Sequence, residues 1–112
     1  MEVLLRERRL FLPVIAVFEL YAGVTGARRI AAIERFVEAT TVIEMGKDVA
    51  RKAAGIYTDL KRKGCLIGND DLFIAATALA NEMSLYTRNT GHFERIDGLK
   101  LWSPSQTASP GL

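Results

Sequence analysis

The stretch CLIGNDDLFIAATALANEMSLYT, residues 65–87, contains the change of period on which the fold turns. Leu72, Ala75, Ala76, Leu79 and Met83 recur at helical steps and form one buried stripe. Asn69 or Asp70, just ahead of them, is suited to cap such a helix. Directly after the stripe, SLYT is short and β-prone, and reads as a strand. The same alternation runs outward in both directions. Upstream, Val49, Ala53, Ile56 and Leu60 give residues 48–63 a helical face, with Gly64 as its stop. TTVIEM, residues 40–45, is β-branched and reads as a strand. Residues 27–39 place Ile30, Ile33, Phe36 and Val37 on one stripe, and residues 14–24 are again helical in pattern. Residues 10–13 are short and apolar, an edge strand or an extended lead-in, and residues 1–9 resemble the end of a helix. Downstream, residues 88–98 read as a loop with one helical turn, and LKLW, residues 99–102, as a last strand. Strands alternating with helices predict an α/β fold, a parallel sheet with helices on both faces.

The 112 residues amount to one domain, with 49% apolar and 25% charged side chains. A domain over residues 1–102 and a disordered Ser/Pro/Gly tail over 103–112 are expected. A net charge of +2 is too mild to declare a nucleic-acid binder. The basic residues nevertheless cluster, at Arg6-Glu7-Arg8-Arg9, Arg28-Arg29 and Lys61-Arg62-Lys63. Taken singly, each cluster also fits a solvated helix face or helix end. Cys65 is the single cysteine, which rules out an internal disulfide and suits a reducing compartment. No apolar run reaches membrane-spanning length. Arg8-Arg9 and the apolar run behind them mimic a signal peptide, but Pro13 interrupts the run and a patterned helix follows. A cytoplasmic protein is expected.

Glu19 is the one charged side chain in residues 10–26, LFLPVIAVFELYAGVTG. A half-buried carboxylate there needs a cation, a hydrogen-bond partner or an exit to solvent. Asp71 falls in the first turn of the Ala-rich helix, where the helix dipole alone would favour it. Asn89 follows the strand SLYT, at the kind of strand end where open α/β sheets gather their sites, and it also suits a turn. Asp70 points about 100° away from Asp71 on a helix, toward a capping or solvent position. His92 is the only histidine, which argues against a Ser-His-Asp triad or a multi-histidine zinc site.

In order and approximate spacing, three stretches resemble the PIN domain and, within it, the VapC toxin family. VFELYAG resembles that family's Glu-Leu-x-x-Gly helix. GNDDLFIAATAL resembles its Asp-Leu-x-Ile-Ala-Ala-x-Ala-Leu segment. SLYTRNTGHFERIDGLKLW resembles its strand end, His-Phe turn and final strand. The resemblance implies a parallel α/β/α domain whose acidic cluster binds Mg²⁺ or Mn²⁺ and hydrolyses RNA phosphodiester bonds. Carried over, Glu19 and Asp71 would be the metal-binding carboxylates and Asn89 the third catalytic position, often Asp in the family. Such an ion needs only one or two carboxylates plus water and phosphate. Arg28, Arg29, Lys61, Arg62, Lys63 and Arg88 are then candidates for contacting RNA phosphates.

The family pattern also has a first strand ending in Asp-Thr/Ser and a helix ahead of residue 10, roughly 25 residues with no counterpart here. A chain lacking them would expose sheet edges and apolar surface, and would carry a weakened metal site. A late-called gene start, a decayed toxin and a surface supplied by a second copy all remain open as explanations. The resemblance favours a toxin ribonuclease with an RNA substrate, an antitoxin protein partner and a homodimeric habit. A catalytically inactive PIN-like binding module is the alternative. An unrelated small α/β domain would place Glu19 and Asp71 on opposite faces.

Overall fold

The computed structural model describes residues 2–7 and 9–103. From residue 104 on, the expected tail lies outside the described residues. The elements are β1 (Val3–Arg6), β2 (Arg9–Pro13), α1 (Val14–Ala22), α2 (Ala27–Glu38), β3 (Thr41–Ile43), α3 (Lys47–Lys63), α4 (Asn69–Ala80), β4 (Ser84–Tyr86), α5 (Thr90–Phe93) and β5 (Leu101–Trp102).

One five-stranded sheet runs in the order β3-β2-β1-β4-β5. β3 lies parallel to β2 and β5 parallel to β4, while β1 is antiparallel to both of its neighbours. The sheet is therefore mostly parallel, with one reversed strand at its centre. Two expectations are corrected here. Residues 1–9 supply a strand rather than the end of a helix, and residues 10–13 lie inside the sheet rather than at its edge. The physical reason is nonlocal. β2 and β4 would each present an unpaired row of backbone N–H and C=O groups, and Val3–Arg6 satisfies both rows at once. A helix in that place would satisfy neither.

Alternation along the strands sends neighbours to opposite faces. Leu4 and Leu85, with Phe11, face a large core built by Val49, Ala53, Ile56 and Leu60 of α3, by α4, and by Phe93. Val3 and Leu12, with Tyr86, face a smaller one made with Ala16, Val17 and Leu20 of α1 and Val37 of α2. Helices thus cover both faces, the α/β/α arrangement expected. Each fully buried Leu stabilises the fold by about 1.5–3 kcal/mol relative to exposure. α4 is buried more completely than its predicted stripe, since Ile74, Thr77 and Ala78 are also fully enclosed. Thr77 is tolerated there because its hydroxyl donates to the Phe73 carbonyl at 2.7 Å. α2 departs the other way: it buries no residue, and Ile30 and Phe36 of its expected core stripe are exposed.

Local rules set the helix ends near the site. β2 passes into α1 without a loop, Pro13 ending the strand and standing at the N-cap of the helix. Gly64 ends α3 in the left-handed conformation, φ 72°, and the Cys65 N–H closes on the Leu60 carbonyl. Gly68, not Asn69 or Asp70, is the N-cap of α4, so Asp70 and Asp71 both lie in its first turn. Because β1 is reversed, its amino end reaches the edge at which the four parallel strands finish. The pairing of Val3 with Tyr86 brings Glu2 opposite Thr87 at that edge.

Candidate active site

Glu19 sits on α1, half-buried, where β2 has just ended. Its carboxyl is pushed up to about 7 from an ordinary 4.5. Burial is the largest cause, followed by a side-chain hydrogen bond with Asp70 and then by the negative charges of Glu2, Asp70 and Asp71. Four carboxylates from three parts of the chain therefore share one electrostatic neighbourhood. Among the described residues, no Lys or Arg forms an ion pair with any of them.

Asp71 and Asn89, far apart in sequence, are joined through His92. Nδ1 of His92 lies 2.8 Å from Asp71 Oδ2 and 2.9 Å from Asn89 Nδ2. One ring nitrogen cannot donate to a carboxylate and accept from an amide at once. A carboxylate only accepts, so Nδ1–H donates to Asp71 and the Asn89 amide turns its oxygen toward the ring, an assignment made on hydrogen-bond logic. The Asn89 backbone N–H donates to Thr87 Oγ1 at 2.9 Å, and the Thr87 hydroxyl donates to Glu2 Oε1 at 3.4 Å. Thr87 is fully buried, which fixes this relay against the sheet. A chain of contacts thus runs Glu2, Thr87, Asn89, His92, Asp71.

The three residues expected at the site are brought to one end of the sheet: Glu19 and Asp71 meet electrostatically, and Asn89 is tied to Asp71 through His92. Glu2, Asp70 and His92 were not expected there. Asp70, expected at a cap or toward solvent, is exposed on the first turn of α4, whose N-cap is Gly68, and it also hydrogen-bonds Glu19 of α1. His92 stands three residues after Asn89 and on the same short helix turn, a spacing that was available to the sequence reading. Nothing local marks Glu2, whose place follows from the reversal of β1.

Oxygen-only donors and surplus negative charge suit a hard cation such as Mg²⁺ or Mn²⁺. Among the described residues, no three His, Cys, Asp or Glu side chains form a ready-made cage. An ion held by these carboxylates would have to retain several waters. The basic candidates are dispersed. Arg28 and Arg29 are exposed on the first turn of α2, and Arg88 is exposed beside Asn89. Lys61 lies over the Tyr57 ring at 5.9 Å. Arg62 and Lys63 are engaged by Asp59 at 2.7 and 2.9 Å, and Lys63 also by Asp97 at 3.6 Å. A cavity of about 800 Å³ lies between α3 and residues 96–98, with Lys47, Arg51 and Lys52 on its wall. It contains none of the clustered carboxylates.

A mostly parallel α/β/α sheet with acidic side chains gathered at its strand ends defines an α/β domain with a candidate site at the carboxyl edge of the sheet. Residues 2–99 match the PIN domain family, and the chain belongs to it. The chain is 30% identical over 93 residues to Ribonuclease VapC1 of Methanocaldococcus jannaschii, an alignment covering 81% of this chain and 68% of the relative. It is 34% identical over 90 residues to Ribonuclease VapC2 of Haemophilus influenzae, covering 77% and 68%. Among solved structures, VapBC-1 from nontypeable Haemophilus influenzae superposes with a TM-score of 0.80 at 31% identity, covering 88% of this chain and 77% of that one. No helix among the described residues is long and apolar enough to cross a membrane.

Proposed function

We propose that this chain is a VapC-like endoribonuclease, the toxin of a type II toxin–antitoxin pair, that hydrolyses RNA phosphodiester bonds with Mg²⁺ or Mn²⁺. The observation that carries this reading is the position of Glu19, a half-buried carboxylate raised to about 7 by burial and by three neighbouring acids. Side chains held in that state gain from a dication. Glu19 and Asp71 would bind it, with Asn89 holding a water or a further ligand position. Once bound, the ion would polarise a phosphoryl oxygen and make a water nucleophilic. Asp71 is steadied by the His92 N–H, which leaves its other oxygen for the ion. Arg88, Arg28 and Arg29 present exposed guanidinium groups for backbone phosphates. Lys61, Arg62 and Lys63 would serve RNA after partial release from Tyr57 and Asp59.

An antitoxin protein is the expected partner, as in the VapBC complex to which the chain is structurally similar. A second copy is also expected. Phe18, 62% exposed on α1, and Tyr21 one turn later leave an apolar face that suits self-association. The reading places the protein in the cytoplasm, with its RNA.

The test is cleavage of structured RNA by the purified chain with Mn²⁺ or Mg²⁺. Cleavage should stop with EDTA and fall sharply in Asp71→Asn; activity that survives both removes the proposal. A second reading, an inactive PIN-like binding module, is favoured by the neutral Asn89 and by the lack of a ready-made three-ligand cage among the described residues. Calorimetry separates the two, since tight antitoxin binding with no Mn²⁺ heat at millimolar metal selects the module.

A further inference from the structure

His92 does more in this arrangement than steady Asp71. Its Nδ1–H is committed to Asp71 Oδ2 at 2.8 Å. In the neutral ring the other nitrogen, Nε2, then carries a lone pair and no hydrogen, so it can only accept. The side chain is 51% exposed, and among the described residues no hydrogen bond reaches Nε2. The site thus turns a fixed acceptor outward beside its carboxylates.

An acceptor selects its ligand by what it cannot bind. Phosphate oxygens are themselves acceptors and gain nothing from Nε2. Carboxylates at the site would repel them further unless a cation intervened. The donors of a nucleic-acid strand are base N–H groups and, in RNA alone, the ribose 2′-hydroxyl. Base donors vary with sequence and sit away from the backbone. The 2′-hydroxyl recurs at every nucleotide and adjoins the phosphate, the group that the cation-binding carboxylates would draw in. Resting on the ribonuclease reading above, we propose that His92 Nε2 accepts a hydrogen bond from a ribose 2′-hydroxyl and sets the preference of this site for RNA over DNA. The Asp71 contact matters to this role because it fixes the tautomer. Without it the ring is free to place a hydrogen on Nε2 and favour a phosphate instead.

Binding without cleavage tests the proposal. Fluorescence anisotropy at pH 8 in Ca²⁺ compares one mixed-sequence RNA oligonucleotide with the same sequence as DNA carrying deoxyuridine. The wild-type chain should prefer RNA, and His92 should account for about a 2–10-fold share of that preference, the factor one neutral hydrogen bond supplies. In His92→Asn the amide nitrogen takes the place of Nδ1 and retains the donor to Asp71, while Nε2 is gone. The RNA-to-DNA ratio should fall toward one, with the loss of affinity confined to the RNA oligonucleotide. His92→Gln, whose carbonyl reaches toward the Nε2 position, should recover part of the ratio. A wild-type ratio of one, or a ratio unchanged in His92→Asn, overturns the proposal. A wild-type chain that neither cleaves RNA nor binds Mn²⁺ overturns the nuclease reading instead, and the anisotropy ratio still decides for or against His92.

Discussion

Residues 69–93 and residues 2–19 both send acidic side chains to the same sheet edge, and they hold them in opposite ways. In the first region Asp71 has a donor: His92 meets it at 2.8 Å, and Asn89 braces the ring. In the second, Glu19 hydrogen-bonds Asp70 and feels the negative charges of Glu2, Asp70 and Asp71, and its half-buried carboxyl rises to about 7. One flank is organised by hydrogen bonds formed within the fold. The other is left with charge that the described side chains do not neutralise. On the proposed reading, an added cation would relieve repulsion on the Glu19 side and would meet an already oriented carboxylate on the Asp71 side.

The largest effect that could break this contrast is on Asp71. Replacing it with Asn keeps the size of the side chain and an oxygen that can accept from His92, and removes the negative charge. RNA cleavage should fall by more than about 100-fold, beyond the roughly 10–100-fold cost of disturbing an outer-sphere partner. Single-turnover cleavage measures it. A loss of only a few-fold would mean that the oriented flank is not where the chemistry is anchored.

The second test concerns the strand that supports the Glu19 flank. Leu4 of β1 is fully buried in the larger core. Leu4→Ala should destabilise the fold by about 2–5 kcal/mol, read from urea unfolding. Leu85→Ala, on the neighbouring β4, should lose a comparable amount. If β1 were a loosely attached segment, Leu4→Ala would stay within about 0.5 kcal/mol, as surface changes do.

These two regions also differ in how much of them the sequence discloses. α4 and β4 were legible because their signals are local: a helical stripe from Leu72 to Leu79, a first-turn Asp71 and a short strand before Asn89. The stop at Gly64 was legible for the same reason, since a left-handed residue is required there. β1 was not legible. Val3-Leu4-Leu5-Arg6 carries no period long enough to decide between helix and strand, and its conformation is imposed by two sheet edges contributed by residues up to Tyr86. The site divides along the same line. Glu19, Asp71 and Asn89 stand out as candidates in their local sequence, whereas Glu2 reaches the edge only because a strand runs backward. Asp70 faces solvent as its helix position implies, and its hydrogen bond with Glu19 was not legible because α1 comes from a distant part of the chain.

A smaller effect sharpens the comparison through pH. Glu19 in the folded chain retains its proton up to about 7, while the same group in the unfolded chain releases it near its ordinary 4.5. Between those values the folded state binds more protons, so this group's contribution makes stability fall as pH rises, levelling off above about pH 7. Thermal melts at about pH 5 and pH 7.5 should show wild type losing more on the move to pH 7.5 than Glu19→Gln does, by a few degrees. Mn²⁺ should recover stability at the higher pH more than at the lower, because the ion replaces the lost proton's charge. A Glu19→Gln variant with the same pH slope as wild type would leave the crowded flank without energetic consequence.

The smallest effect isolates the reversed strand itself. Glu2 ranks behind burial and the Asp70 hydrogen bond among the causes that raise Glu19. Glu2→Gln removes one negative charge and leaves both larger causes in place, and the Gln oxygen can still accept from the Thr87 hydroxyl. The Glu19 midpoint, followed by carboxyl carbon NMR, should therefore move down from about 7 while staying above 4.5. Asp70→Asn should lower it further, since that change removes a charge and alters the hydrogen bond together. An unmoved midpoint in Glu2→Gln would place the Glu2 carboxylate away from Glu19. The central strand would then complete the sheet without contributing to the site, and the unneutralised charge would belong to α1 and α4 alone.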